Sequence, residues 1–387
     1  MSTKKKVLIT GARAPAALHL CRLLKKSGHT VIIADSTPYP LSKVSTSTDY
    51  FYEIPSPKWN TIESIDALQS IIQKHDVDLL IPTCEEVFYI SRYKEKLSRF
   101  CHVLVDEFHK LSLLHNKWEF IQFVTKLGWR VPATYRTNNE QSILAMIQRT
   151  STSTPFVLKP IFSRFSDKVA FITKEDVVKG ITIDKQNYIM QEFIKGTQHC
   201  SYSIVKSGKV LAHSVYKTEF TAGLGATIAF EHINLPKIDE FVGHIVKELN
   251  FSGQIAFDFI LTEDGDVIPI ECNPRTTSGL HLFDEEILSA FFDTKVNHML
   301  IPKPNSECAI RLAMLLYGPP YLKNKQTRKR WLKVLCSYPD IIYGHSDWKP
   351  FFYQFYSMYK LWRESNKHKR TILEQTTYDI SWDGENL

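Results

Sequence analysis

The chain of 387 residues carries 48 Lys and Arg against 41 Asp and Glu, with 43% hydrophobic and 23% charged residues. This composition is too apolar for a disordered protein, and the length suits two to three domains or one elaborated α/β enzyme. The apolar runs fall far short of a bilayer-spanning stretch, and the basic start, Met1–Lys6, leads into a strand-like run rather than a signal core. We therefore expect a cytoplasmic protein without a transmembrane segment.

Cysteine usage and charge narrow the class further. The seven cysteines are scattered without a CxxC pair, which predicts reduced thiols rather than a zinc site or a disulfide framework. Residues 301–387 hold 14 basic and 8 acidic residues, and so carry +6 of the total net charge of +7. A solvated basic surface is the favoured interpretation, and an anionic partner or an acidic substrate is the alternative.

The start of the chain shows a β-loop-α-β pattern. Residues 7–10 and 30–34 have the apolar content of buried strands and flank a helical segment, and two further strands follow. This pattern predicts a Rossmann-like domain over residues 1–112. A nicotinamide dinucleotide site is disfavoured, because Arg13 and Ala16 stand where the fingerprint needs glycines.

Helix and strand signals continue through the middle of the chain. Asn116–Leu127 is an amphipathic helix, and Gly128 follows it as a C-cap. Strands are predicted at Pro155–Lys159 and Tyr188–Phe193, and a second helix is predicted over Lys237–Leu249.

The segment Gly253–Arg275 is the most informative part of the sequence. Asp264-Gly265 is a strong signal for a two-residue hairpin turn between strand-like runs. Such a turn creates one continuous apolar face from three opposed pairs: Phe257 with Cys272, Phe259 with Ile270, and Leu261 with Ile268.

On the other face of this hairpin, Asp258 lands directly opposite Glu271, and Asn273 points the same way. Two opposed carboxylates repel each other, a cost that a divalent cation between them would remove. Oxygen ligands from two acids and an amide suit magnesium that also binds phosphate oxygens. Arg275 follows with a planar fork suited to phosphate or carboxylate. The plainer alternative is a half-exposed hairpin with solvated acids.

Four motifs together resemble the ATP-grasp superfamily, nearest in look to the branch of carbamoyl-phosphate synthase and biotin carboxylase. They are Asn116-Lys117 at a helix start, FVLKP at 156–160, YIMQEFIKG at 188–196 and ECNPR at 271–275. The resemblance runs from the first strand to about residue 290. The last motif is the most specific of the four.

This resemblance implies a fold and a domain order. The expected fold is α/β, with the Rossmann-like domain followed by a two-lobed ATP-grasp domain and a C-terminal α-rich extension. The ATP-grasp domain would span residues 113–300, with a lid over about 130–190 and a base over about 191–300. Residues 301–387 would form the extension.

The resemblance also implies a role for individual residues. It implies an ATP site in which Lys117 and Lys159 contact the phosphates. A hinge segment, residues 188–196, would bind adenine at Glu192, Phe193 and Ile194, and Gln198 follows it in the same site. Two Mg²⁺ ions, for which Mn²⁺ could substitute, would be held by Asp258, Glu271 and Asn273, with Glu271 bridging them. Arg275 would be catalytic and would steady the transferred phosphoryl group.

The chain departs from the pattern of this family at three places. The loop at 161–167 has no glycine where many relatives have a glycine-rich phosphate loop, and Arg164 would compensate with a side chain. Gln198 stands where a Glu is common, which puts ribose recognition in doubt. Asp258 occupies a position where relatives vary among Glu, Gln and Asp.

The resulting hypothesis is a ligase that uses ATP to activate a carboxylate as an acyl phosphate and joins it to an amine. The substrate carboxylate would sit near Arg13 and Arg275, and Arg164 is the other candidate substrate residue. The alternatives are a non-catalytic nucleotide-binding module, and a ligase or carboxylase with another nucleophile. Small-molecule substrates and no specific nucleic acid are expected, and a homodimer stays open.

The C-terminal extension contains basic runs at Lys323–Lys333 and Lys360–Arg370 around the aromatic segment Phe351–Trp362. Its aromatic residues recur at helical spacing, so the favoured prediction is an ordinary packed helix. A membrane-surface or partner-binding face is the alternative, with an anionic partner suggested by the charge.

Overall fold

The computed structural model describes residues 4–138, 143, 146, 147, 155–162, 169–173, 187–223, 225–292 and 298–385. Its N-terminal sheet has five parallel strands in the order β3-β2-β1-β4-β5. The strands are β1 (Lys6–Thr10), β2 (Thr30–Asp35), β3 (Tyr50–Glu53), β4 (Leu79–Ile81) and β5 (His102–Val103). The helices are α1 (Pro15–Lys26), α2 (Thr61–His75), α3 (Glu86–Arg92), α4 (Lys94–Leu97), α5 (Phe108–His115) and α6 (Lys117–Lys126).

The central strand β1 contributes residues to hydrophobic cores on both faces of this sheet. Leu8 belongs to one hydrophobic core, whereas its neighbours Val7 and Ile9 belong to another. Strand residues that alternate between two dry faces are typical of a parallel sheet covered by helices on both sides. The sequence predicted this sheet apart from Tyr50–Glu53, whose half-exposed residues lie at its edge.

A second sheet forms the smaller lobe of the middle region. Its four antiparallel strands run in the order β6-β9-β7-β8 and are β6 (Thr134–Thr137), β7 (Phe156–Pro160), β8 (Ala170–Ile172) and β9 (Tyr188–Glu192). Phe156, Leu158 and Met190 bury one face of this sheet against Ile143 and Ile147.

The larger lobe is built on a four-stranded antiparallel sheet in the order β11-β10-β15-β16. Its elements are β10 (Thr197–Lys206), β11 (Lys209–Lys217), β12 (Thr221–Ala222), β13 (Ala226–Thr227), β14 (Ala229–Glu231), α7 (Pro236–Glu248), β15 (Gly253–Leu261), β16 (Val267–Asn273) and α8 (Leu288–Phe291). Phe257 and Phe259 project from one face and meet Phe241 of α7 edge-on, with ring centroids 5.3 and 5.2 Å apart. The opposite face is left to form the wall of a cavity.

The hairpin β15–β16 differs from its predicted register at one end. Asp258 pairs with Glu271 as predicted, but a bulge follows, and Phe259 pairs with Pro269 instead of Ile270. The connection is a five-residue loop, Thr262–Asp266, closed by a hydrogen bond from Thr262 N to Asp266 O. The predicted two-residue turn was therefore wrong, because this longer loop shifts the distal pairs by one residue.

The C-terminal extension packs against the other two parts of the chain. Its elements are β17 (Glu307–Ala309), α9 (Arg311–Leu316), α10 (Lys325–Ser337), α11 (Lys349–His368) and α12 (Ile372–Gln375); 3₁₀ turns lie at Leu41–Val44, Ser278–Leu282, Glu285–Ile287 and Pro319–Leu322. Strand β17 pairs with β14, and Trp382 packs against Phe88 and Phe108 near the N-terminal domain. No helix within the described ranges is both long and apolar enough to cross a bilayer.

The aromatic residues of α11 do not pack as predicted. The helix forms at the predicted place, but Phe352, Phe355, Tyr356 and Tyr359 are exposed. The expectation of an ordinary packed helix was wrong, because the side that α11 buries carries Pro350, Gln354 and Ser365 instead.

Candidate active site

A cavity of about 340 Å³ lies between the smaller and the larger sheet of the middle region. All ten residues predicted for nucleotide, metal and phosphoryl group line it: Lys117, Lys159, Glu192, Phe193, Ile194, Gln198, Asp258, Glu271, Asn273 and Arg275. These residues come from five separate stretches of the chain, so their convergence is a result of the fold. A largely apolar concave site with a few charged groups is the usual form of a small-molecule site.

One transverse row of the larger sheet forms the floor of this cavity. Tyr216 pairs with Cys200, Cys200 pairs with Asp258, and Asp258 pairs with Glu271 across four adjacent strands. Directly opposed residues lie on the same face of a sheet, so the four side chains share the cavity side. Cys200 and Tyr216 were not predicted as site residues. Cys200 could have been, because it lies two residues after Gln198 on one strand and therefore faces the same side.

The two opposed carboxyl groups divide their charge unequally. Burial, and then the nearby Glu271, raise the pKa of Asp258 above its usual range. Burial opposes the ionisation of Glu271, but the Lys117 and Lys159 ammonium groups outweigh it and lower the pKa of Glu271. The pKa values of the two groups are therefore pushed in opposite directions, which is the expected behaviour of two acids in one site.

Two buried lysines face this pair from different elements. Lys117 Nζ lies 3.6 Å from Glu271 Oε2, at the start of a helix whose first turn is capped by the Asn116 side chain. Lys159 Nζ donates to the carbonyl of Ile270 at 3.4 Å. Burial lowers the pKa of Lys159 to about 8, because desolvation outweighs the attraction of Glu271. Both ammonium groups are placed to meet an anion that enters the cavity.

Arg275 is held by groups on both sides of a domain boundary. Its Nη2 donates to Asn273 Oδ1 at 3.1 Å and its Nη1 donates to the carbonyl of Thr276 at 3.0 Å. Its Nε lies 3.8 Å from Oε1 of Glu85, a buried residue of the N-terminal domain. Glu85 was not predicted as a site residue, because no local pattern links it to a motif so distant along the chain.

The hinge segment supplies the apolar end of the cavity. Its Phe193 packs edge-on against Phe171 of the smaller sheet, with ring centroids 5.7 Å apart, and Ile194 lines the cavity beside them. Gly196 allows the hinge to lie against the larger sheet, because a Cβ there would come within 2.3 Å of the Leu261 carbonyl oxygen. Flat apolar walls of this kind suit a planar heterocycle.

The donor set of the site fits magnesium. The described part of the chain contains no cluster of three or more His, Cys, Asp or Glu side chains suited to a metal ion. Asp258, Glu271 and Asn273 line the cavity with side-chain oxygen atoms, and these would supply the protein's ligands and leave further positions to phosphate oxygens and water. That arrangement is typical of Mg²⁺ bound together with a nucleotide.

Arg13 lies outside this cavity, contrary to the prediction that it anchors a substrate. Its guanidinium group is 2.5 Å from Asp35 and 2.6 Å from Asp379, and only 13% of its side chain is exposed. It also donates to the carbonyl of Thr376 at 2.9 Å. Arg13 therefore ties the end of the chain to the N-terminal domain, and its hydrogen-bond donors are already used. The other predicted substrate residue, Arg164, lies outside the described residues.

Comparison with known proteins identifies the domain that carries the cavity. Residues 114–279 match the sequence model of the ATP-grasp domain family. The chain contains an ATP-grasp domain. A curated relative, an uncharacterized protein of Methanocaldococcus jannaschii, is 24% identical over 227 residues, which are 58% of this chain and 51% of the relative. The chain thus spans about half the length of that relative.

Solved structures share the fold beyond this domain. An ADP complex of PurK, an N5-carboxyaminoimidazole ribonucleotide synthetase, has a TM-score of 0.62 and 14% identity, covering 82% of this chain and 85% of its own. The biotin carboxylase domain of Hydrogenobacter thermophilus 2-oxoglutarate carboxylase was solved with MgADP and bicarbonate. It has a TM-score of 0.60 and 14% identity, covering 76% of this chain and 71% of its own. An L-amino acid ligase from Bacillus licheniformis has a TM-score of 0.55 and 14% identity, covering 73% of this chain and 69% of its own. The predicted ATP-grasp fold with a Rossmann-like N-terminal domain is confirmed.

Proposed function

We propose that the protein is an ATP-dependent ligase that activates a carboxylate as an acyl phosphate and transfers the acyl group to an amine. One observation carries the proposal: the opposed Asp258 and Glu271, the buried Lys117 and Lys159, and Arg275 all face one cavity. Buried charges are costly unless a ligand compensates them, so this concentration of titratable groups favours a charged, metal-bound ligand.

The proposed nucleotide position follows from the chemistry of the cavity walls. The adenine ring would occupy the apolar end at Phe193 and Ile194, and the triphosphate would extend toward Lys117 and Lys159. Mg²⁺ held by Asp258, Glu271 and Asn273 would supply charge neutralisation for the phosphate oxygens. The two lysines line the same cavity and would add positive charge near the phosphate oxygens. Positioning and charge neutralisation are the main forms of catalysis available for phosphoryl transfer.

The proposed reaction has two steps with balanced atoms. A carboxylate oxygen attacks the γ-phosphorus, the bond to the β-phosphate oxygen breaks, and ADP leaves. The amine nitrogen then attacks the acyl carbon, inorganic phosphate leaves, and the amine loses a proton. Arg275 is positioned by Asn273 and Thr276 to bind the negative charge that these steps place on the acyl phosphate.

Relatives of this chain are consistent with the reaction class. The solved structures with the same fold are described as a synthetase, a carboxylase domain with bicarbonate and an L-amino acid ligase. Because all three identities are at most 14%, they support the fold and leave the substrates of this chain to experiment.

A substrate matrix tests the proposal directly. The full chain with MgATP should release phosphate and ADP when suitable carboxylate and amine mixtures are present, and mass spectrometry should detect the joined product. Glu271→Gln should lower the rate by at least about a hundredfold, because the site loses a charge needed in the transition state. Glu240→Gln is the matched control, since Glu240 lies on the exposed side of α7 and does not line the cavity.

The outcomes separate the competing functions. ATP binding without phosphate release in any mixture would favour a non-catalytic nucleotide-binding module. Release that requires bicarbonate and no amine would favour a carboxylase. Full activity of a folded Glu271→Gln protein would contradict the assignment of the metal site.

A further inference from the structure

Helix α11 turns its large aromatic residues toward solvent. Its outward face carries five aromatic side chains, each between 46% and 60% exposed: Phe352, Phe355, Tyr356, Tyr359 and Trp362. Their spacing of three, four and seven residues puts them on one continuous face of the helix. A helix on the surface of a globular protein normally turns such residues inward.

The inward face of the same helix is mixed, because Phe351 packs on the cluster of Leu18, Leu41 and Ile342 and polar residues lie beside it. Gln354 and Ser365 are buried, and Ser357 Oγ donates to the carbonyl of Tyr39 at 3.0 Å. These contacts fix the rotation of the helix, so the aromatic face cannot turn inward without breaking them. Each aromatic side chain forgoes the burial of a large apolar area, which in a folded protein indicates a surface that a partner covers.

The aromatic face continues onto a neighbouring helix. Leu316 and Tyr317, at the end of α9, line the same apolar groove as Met358 of α11, and all three are exposed. Met358 lies within about one helical turn of both Phe355 and Trp362, so this groove borders the aromatic face. A contiguous patch of this kind exceeds the scattered apolar residues that are normal on a protein surface.

Basic side chains accompany the aromatic residues. Lys360 Nζ lies 5.3 Å from the ring centroid of Tyr356, and the guanidinium carbon of Arg363 lies 6.0 Å from that of Tyr359. Lys367 and Lys369 are also exposed at the end of the helix. Tyr and Trp at the level of lipid headgroups, flanked by Lys and Arg, are the hallmark of helices that lie in a membrane interface.

We propose that the outward face of α11 docks on the surface of an anionic lipid bilayer. The charge of the face decides between this partner and a second copy of the chain. A symmetric dimer on this face would press together two surfaces that each carry Lys360, Arg363 and Lys367, and such like-charge juxtaposition is repulsive. An anionic bilayer attracts them and accepts the aromatic rings at headgroup depth, so both features of the face are satisfied together.

Vesicle sedimentation of the full chain tests this proposal. The protein should pellet with phosphatidylcholine vesicles that contain phosphatidylglycerol, and much less with pure phosphatidylcholine or at high salt. Replacing Phe355, Tyr359 and Trp362 together by Ser should weaken binding by at least about tenfold, because the inserted apolar area is lost. Lys360→Gln, Arg363→Gln and Lys367→Gln combined should weaken it at least as much, at roughly fivefold for each basic residue.

Trp59→Ala provides the matched control, since Trp59 is 54% exposed on the N-terminal domain and Trp362 is 50% exposed on α11. The control should bind vesicles as wild type does, and all variants should keep the wild-type melting temperature. Equal binding to neutral and anionic vesicles, or no binding at low salt, would overturn the proposal. So would a change of oligomeric mass in the Ser variant with unaltered vesicle binding, which would assign the face to a protein contact.

Discussion

Asp258→Asn should stabilise the folded protein while it removes turnover. In the folded state Asp258 retains a proton at a pH where an unfolded Asp is ionised, because burial and Glu271 disfavour its charge. Retaining that proton has a free-energy cost that rises with pH. Asparagine carries no proton to retain and still donates a hydrogen bond toward Glu271, so the variant should escape the cost.

The size of this gain can be approximated from the direct opposition of the two carboxyl groups across the strand pair. Two unit charges about 4 Å apart repel by about 4 kcal/mol at an effective dielectric constant of 20. Lys117, 3.6 Å from Glu271, and the more distant Lys159 offset part of this repulsion. We therefore expect the variant to gain about 1–2 kcal/mol in free energy of unfolding at pH 8.

The stability gain of the variant should depend on pH in a defined direction. A carboxyl group with a raised folded-state pKa contributes most stability below the pKa of the unfolded state, and this contribution is lost as pH rises toward the folded-state pKa. The difference between variant and wild type should thus be near zero at about pH 4 and grow toward pH 8. Urea denaturation at several pH values measures it.

The exposed Asp264 on the loop of the same hairpin provides a control. Asp264→Asn should change stability little at any pH, because its side chain is solvated. The account of the carboxylate pair would be refuted if Asp258→Asn were destabilised at pH 8, or if its stability difference from wild type did not depend on pH.

Three further predictions follow from other contacts. ATP affinity should fall about tenfold from pH 7 to pH 9, because Lys159, whose pKa is about 8, loses its charge, and calorimetry of Lys159→Arg should show a much weaker dependence. Arg13→Ala should cost about 3–5 kcal/mol in urea denaturation, since it leaves the buried Asp35 and the Asp379 carboxylate without their partner; little loss would show that these ion pairs are not structural. Gly196→Ala should raise the Kd for ATP at least severalfold by displacing the hinge, and unchanged binding would mean that the hinge does not shape the site.

Much of the candidate site was predictable from short-range pattern. Strand alternation together with the turn signal placed Asp258 opposite Glu271. That pairing survived a wrong turn because the bulge between the pair and the loop cancels the one-residue shift of the longer loop. The helix at Lys117 and the strand at Lys159 were predictable for the same reason, because capping and apolar alternation act over only a few residues.

The tertiary structure alone decided which distant groups meet. The sequence suggests that Arg13 is an exposed loop residue. In the structure its guanidinium group donates hydrogen bonds to Asp35 and to Asp379, which lies 366 residues away along the chain. Glu85 reaches Arg275 only because the N-terminal domain packs against the hairpin. The direction in which α11 faces was also undetermined, since periodicity places aromatic residues on one side of a helix but does not say whether that side meets the core or the solvent. Contacts of this kind depend on how whole elements pack, and packing is a property of the complete chain.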